Sequence, residues 1–114
     1  MGILNLFRTK SPDLDQLVLA QLQKASSNLA KPHAIEFFLY FPSQSVAEQA
    51  APTIREAGFE VNVQRAPQGD QWLCFAKRTM VPQLQELQKI RRNFAALATS
   101  LKGDYDGWGT EVVN

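Results

Sequence analysis

The sequence predicts an α+β domain: an antiparallel sheet of four strands, two helices against one of its faces, and one further helix ahead of them. Three observations lead there. The chain has 114 residues, 45% of them hydrophobic, enough to bury a core as a single domain without disulfides or metal. Apolar residues recur with helical spacing and with strict alternation in the order helix, strand, helix, strand, strand, helix, strand. Proline and glycine fall between these segments, at Pro32, Pro42, Gly58, Pro67, Gly69, Pro82 and Gly103.

Ser11 before Pro12 starts the first helix. A serine oxygen can accept from an orphan amide of the first turn, proline has no amide to orphan, and Asp13 and Asp15 face the positive helix end. Leu14, Leu17, Val18, Leu22, Ala25 and Leu29 form one stripe, and Pro32 blocks continuation. Ile35, Phe37 and Leu39 then alternate with Glu36, Phe38 and Tyr40, an aromatic and β-branched strand closed by Pro42. Ser45 and Glu48 have capping-box spacing at the head of a second helix. Its stripe is Val46, Ala50, Ile54 and Ala57, Gly58 closes it, and Pro52 should kink or split it.

Phe59, Val61 and Val63 alternate with polar residues, and Pro67-Gln68-Gly69-Asp70 supplies turn chemistry before the run from Trp72 to Ala76. A hairpin follows from that. Pro82 opens a third helix with Leu84, Leu87, Ile90, Phe94, Leu97, Ala98 and Leu101 inward, Lys89, Arg91 and Arg92 largely outward, and Gly103 as its stop. The chain closes with Asp104-Tyr105-Asp106-Gly107-Trp108-Gly109-Thr110. In a regular strand Tyr105, Gly107 and Gly109 would share one face, Asp106 and Trp108 the other.

Without the first helix the order is strand, helix, strand, strand, helix, strand, the ferredoxin-like βαββαβ sandwich. The divisions are an N-terminal tail over 1–10, an N-terminal helix over 11–31 and the ferredoxin-like unit over 32–114. Phe38 and Tyr40 point away from the two helices, and a bare aromatic face is a large apolar patch for a monomer. Three readings compete for it: the stripe of the N-terminal helix covers it, a partner or second copy covers it, or it stacks single-stranded nucleic acid. The RNA-recognition strand pattern of glycines and aromatics is missing from Gln71 to Arg78.

A net charge of +1 gives no general case for nucleic acid or membrane. Cys74 is the single cysteine, so one chain can form neither a disulfide nor a cysteine-based zinc site, and a reducing compartment fits best. The first ten residues carry their positive charges after a short apolar run, which suits neither a signal sequence nor a membrane span. A cytoplasmic location is expected.

No motif identifies an enzyme. His33 has no neighbour at triad spacing and reads as a solvated strand-end residue. Cys74 reads as a small buried hydrophobe. Asp104 and Asp106 sit at same-face strand spacing, but with only Glu111 nearby they leave a hard cation undersaturated, and Gly107-Trp108-Gly109 opens no helix that would bind phosphate. Catalytic residues, metal ligands and cofactors are therefore not assigned. Lys89, Arg91 and Arg92 suit either a solvated face or contact with an acidic protein or phosphate, and one of the arginines could reach the acidic tail strand.

The element order, Ala57-Gly58-Phe59-Glu60-Val61, Val81-Pro82 and above all Tyr105-Asp106-Gly107-Trp108-Gly109 resemble the family of regulators of ribonuclease E activity, type B (RraB), from His33 to Val113. The resemblance implies a ferredoxin-like, cytoplasmic bacterial protein that binds RNase E or another degradosome component and inhibits by protein contact, with no catalysis and no cofactor. A nucleic-acid-binding module using the basic helix and the sheet aromatics is the alternative. Candidate interaction residues are Tyr105, Asp106, Trp108, Lys89, Arg91 and Arg92, with Trp108 expected to pack against the sheet or the N-terminal helix.

Overall fold

The structure, a computed structural model, describes residues 12–114. The expected tail over 1–10 and the Ser11 cap lie outside the described residues. Seven elements follow in the expected order: α1 (Pro12–Lys24), β1 (His33–Phe41), α2 (Gln44–Glu56), β2 (Glu60–Arg65), β3 (Trp72–Met80), α3 (Leu84–Ser100) and β4 (Asp104–Thr110). The strands form one antiparallel sheet in the order β2-β3-β1-β4, so β1 and β3 are central and β2 and β4 are its edges.

One face of the sheet carries the core. Ile35, Phe37, Leu39 and Phe41 of β1 are fully buried against Ala47, Ala50 and Ile54 of α2 and Leu87, Ile90, Phe94 and Ala98 of α3. The Phe37 ring meets Phe59 and Phe94 edge-on, with centroids 5.3 and 5.7 Å away. Cys74 points into this layer, its thiol directed at the Ala47 carbonyl, and burial pushes it up to about 11. Arg78 lays its guanidinium over the Phe59 ring at 5.4 Å.

Helix α1 packs on α3, with Val18 and Leu22 in the same core. The three described helices therefore lie on one face, which sets aside the reading in which the N-terminal helix covers the other. The helix is also shorter than expected, ending at Lys24 although Pro32 is eight residues on. Ser26 takes a left-handed backbone (φ 63), and the amides of Ser26 and Ser27 turn back to the carbonyls of Gln23 and Leu22 at 3.0 and 2.9 Å. Such a closure satisfies the last carbonyls without glycine, which is why composition did not mark it.

Three further local expectations are corrected. The N-cap of α2 is Ser43, whose oxygen accepts from the Val46 amide at 3.3 Å, and not Ser45. Pro52 does not split the helix, which runs through it as one element; Pro52 is exposed, so water can solvate the carbonyl it leaves without a donor. Lys102 (φ 60), not Gly103, takes the left-handed position after α3. Gly103 is required for space: a β-carbon there would run into the Tyr40 carbonyl and the Phe41 ring.

His33 is fully buried rather than solvated. Its Nδ1 lies 2.8 Å from the Lys31 carbonyl and so carries the proton, leaving Nε2 to accept from the Ser27 hydroxyl at 2.7 Å. The Ser27 oxygen accepts in turn from the Val113 amide at 2.9 Å, and the Asn28 amide donates to the Val113 carbonyl at 2.6 Å. These bonds tie the residues after β4 to the loop between α1 and β1.

Candidate interaction surface

The closing strand divides its side chains between the two faces, and a bulge decides how. Trp108 pairs with Phe37 and Tyr105 with Leu39, so two β4 residues, Asp106 and Gly107, stand opposite Phe38 alone. Gly107 sits at φ 93, a conformation that side chains resist. The extra residue puts Tyr105 and Trp108 on the same, helix-covered face and leaves Asp104 and Asp106 on the other. Regular alternation, which would have put Asp106 beside Trp108, is thereby corrected.

Trp108 is fully buried and Tyr105 nearly so. The indole Nε1 donates to Asp15 Oδ1 at 3.1 Å, and Arg91 Nε donates to Asp15 Oδ2 at 3.2 Å. Asp15 is thus a buried carboxylate holding α1, α3 and β4 together. Desolvation pushes its carboxyl above the usual range, against the Trp108 hydrogen bond and the Arg91 charge, which pull it down. The neighbouring Tyr105 hydroxyl is buried without a hydrogen-bond partner, and burial pushes the phenol far up, so it stays neutral. Sequence reasoning used Asp15 only as a first-turn acid; its spacing from Trp108 across 93 positions carries no local signal.

The six candidate residues therefore separate. Tyr105 and Trp108 are packing residues, and Arg91 is spent on Asp15, not on the acidic tail strand. Lys89 and Arg92 are exposed on α3, in the helix layer, and Asp106 lies on the opposite side of the sheet.

That opposite side carries an apolar strip. Phe38 and Phe75 face each other across β1 and β3 with ring centroids 5.5 Å apart, and Tyr40 stands opposite Leu73 in the next outward-facing pair. Glu36 and Glu60 flank Lys77 at one end of the strip. At the other end Tyr40, Asp104, Asp106, Pro67 and Gln71 line a concavity of about 440 Å³. Phe38 and Leu73 are only 6% and 5% exposed, although none of the described helices lies over them. Acid therefore rims the aromatics, and the basic residues of α3 are on the other face.

Among the described residues there is no group of three or more His, Cys, Asp or Glu that could hold a metal ion. No helix among them is long and apolar enough to cross a membrane. Residues 13–110 match the family model described as regulator of ribonuclease activity B. A search of curated proteins finds no match.

Proposed function

The chain belongs to the regulator of ribonuclease activity B family, non-enzymatic proteins that inhibit RNase E by binding it, and we propose that the sheet face free of the described helices makes that contact. The observation that carries this reading is the pair of half-buried rings Phe75 and Tyr40, backed by the buried Phe38 and Leu73, with Asp104 and Asp106 at the rim. An apolar centre with a charged rim is the anatomy of a protein interface. Its acidic rim selects a segment that presents bases beside apolar side chains. A cytoplasmic location, where RNase E substrates are found, belongs to the same proposal.

The placement of charge speaks for protein rather than RNA on this face. Stacking on strand aromatics works where lysine and arginine line the phosphate path, and here that path would run past Asp104, Asp106 and Glu36. Purified protein is expected to lower RNase E cleavage of an RNA substrate and to co-purify with the enzyme. Phe75→Asp is the first test of the surface, because its ring is half-buried and the charge would stand in the middle of the strip. Inhibition undiminished by Phe75→Asp would exclude this face as the contact.

A further inference from the structure

We propose that β2 is the contact through which two copies of this chain associate, strand against antiparallel strand about a two-fold axis at Asn62. The inference stands apart from the RNase E contact. Of the two edge strands, β4 is blunted by its bulge at Asp106 and Gly107. β2 (Glu60–Arg65) keeps an unbroken register with β3 and contains neither proline nor lysine, and among the described residues no strand lies on its outer side.

Two hydrogen bonds fix which groups that edge offers. The Ala66 amide donates to the Gln71 carbonyl at 3.0 Å, in the register that β2 keeps with β3. Bonded residues alternate along an antiparallel pair, so Gln64, Asn62 and Glu60 also bond β3, while the main-chain groups of Val61, Val63 and Arg65 turn outward. The Val61 carbonyl agrees with that phase: it accepts from Arg55 Nη2 of α2 at 3.1 Å and keeps a second lone pair for a strand amide.

The strand is complementary to itself. A two-fold axis normal to the sheet leaves each face on its own side, so residues brought opposite one another must face the same way. With the axis at Asn62, Val61 stands opposite Val63 of the second copy, Glu60 opposite Gln64, and Asn62 opposite its own counterpart. Glu60-Val61-Asn62-Val63-Gln64 thus reads alike from either end, and no like charges oppose each other. Val61 and Val63 exchange their outward main-chain bonds across the axis. Both are half-buried against the core, and the valines of the two copies would cover one another. An axis at Val63 would instead set Arg65 of one copy opposite Val61 of the other, beside Arg55. An unrelated strand would need the free main-chain groups but not this symmetry, which is the reason for assigning the edge to a second copy.

Disulfide trapping of the full chain under diamide tests the register. Cys74 is buried, so only introduced thiols couple. Opposed residues that do not exchange main-chain bonds have Cα atoms about 4.5 Å apart, within disulfide reach. Asn62→Cys is therefore expected to couple to itself, and Glu60→Cys to Gln64→Cys in a mixture. Gln64→Cys alone should stay uncoupled, because its counterpart lies four residues along the strand, about 13 Å away. Sedimentation equilibrium should show the mass of the natural chain rising with concentration toward twice that of one chain. Asn62→Lys sets two cations face to face at an exposed position and should hold the mass at one chain with an unchanged Tm. A natural chain that stays monomeric up to about 1 mM would overturn the proposal. So would a dimer that Asn62→Lys leaves intact, or coupling of Gln64→Cys to itself as readily as to Glu60→Cys.

Discussion

Asp15 ties α1 to both α3 and β4, since it receives the Trp108 indole and the Arg91 guanidinium while fully buried. Removing its carboxylate strands a buried indole N–H and a largely buried cation, so Asp15→Ala is expected to cost roughly 3 kcal/mol or more in urea melts. Titration adds a signed effect. The folded carboxyl holds its proton more tightly than the unfolded one, whose ordinary value is 3.8, so its contribution is largest in acid and is lost as pH rises through the folded value. The stability of the natural chain relative to Asp15→Asn should accordingly fall as pH rises from below 3.8 toward neutrality. Trp108→Ala removes a fully buried ring from the same cluster and should cost about 3–5 kcal/mol. Tyr105→Phe is the informative contrast. It deletes a buried hydroxyl that has no partner, and the variant should melt at or above the Tm of the natural chain.

At the scale of elements, β4 shows what spacing conveys and what it conceals. The alternation of glycine with large residues marks a final strand, and the strand is there. The bulge at Asp106 and Gly107 reverses the faces that alternation assigns, because one unpaired residue shifts every later side chain to the other side. Helix ends behaved likewise. Glycine flagged the close of α2 at Gly58, but Ser26 and Lys102 closed α1 and α3, and a left-handed serine or lysine has no compositional mark. Gly103 was legible as a stop for a reason unlike the actual one. Gly103→Ala should destabilise the chain although its φ is not left-handed, since the added methyl meets backbone at Tyr40 that cannot give way without moving β1. A Tm equal to that of the natural chain would show that the Tyr40 to Phe41 segment yields.

For the whole molecule, the ferredoxin-like order was legible because each element has its own period and its own punctuation, and long-range partners were not required to see it. The site was legible only in part. Phe38 and Tyr40 could be placed on the face away from α2 and α3 from alternation alone, but whether α1 covers that face depends on its docking to α3 through Asp15 and Arg91, 76 positions apart. The basic helix and the sheet aromatics, joined in the nucleic-acid alternative, prove to lie on opposite faces of the sheet. The central claim is that the helix-free face, and not α3, contacts RNase E. It is tested most directly by measuring the affinity of RNase E for Phe75→Asp and for the doubly reversed Lys89→Glu, Arg92→Glu chain, each checked for an unchanged Tm. Truncating or charging a buried interface anchor costs about 2 kcal/mol or more, so Phe75→Asp should weaken binding by more than tenfold, while the α3 variant should bind as the natural chain does. Binding lost in the α3 variant and kept in Phe75→Asp would contradict it.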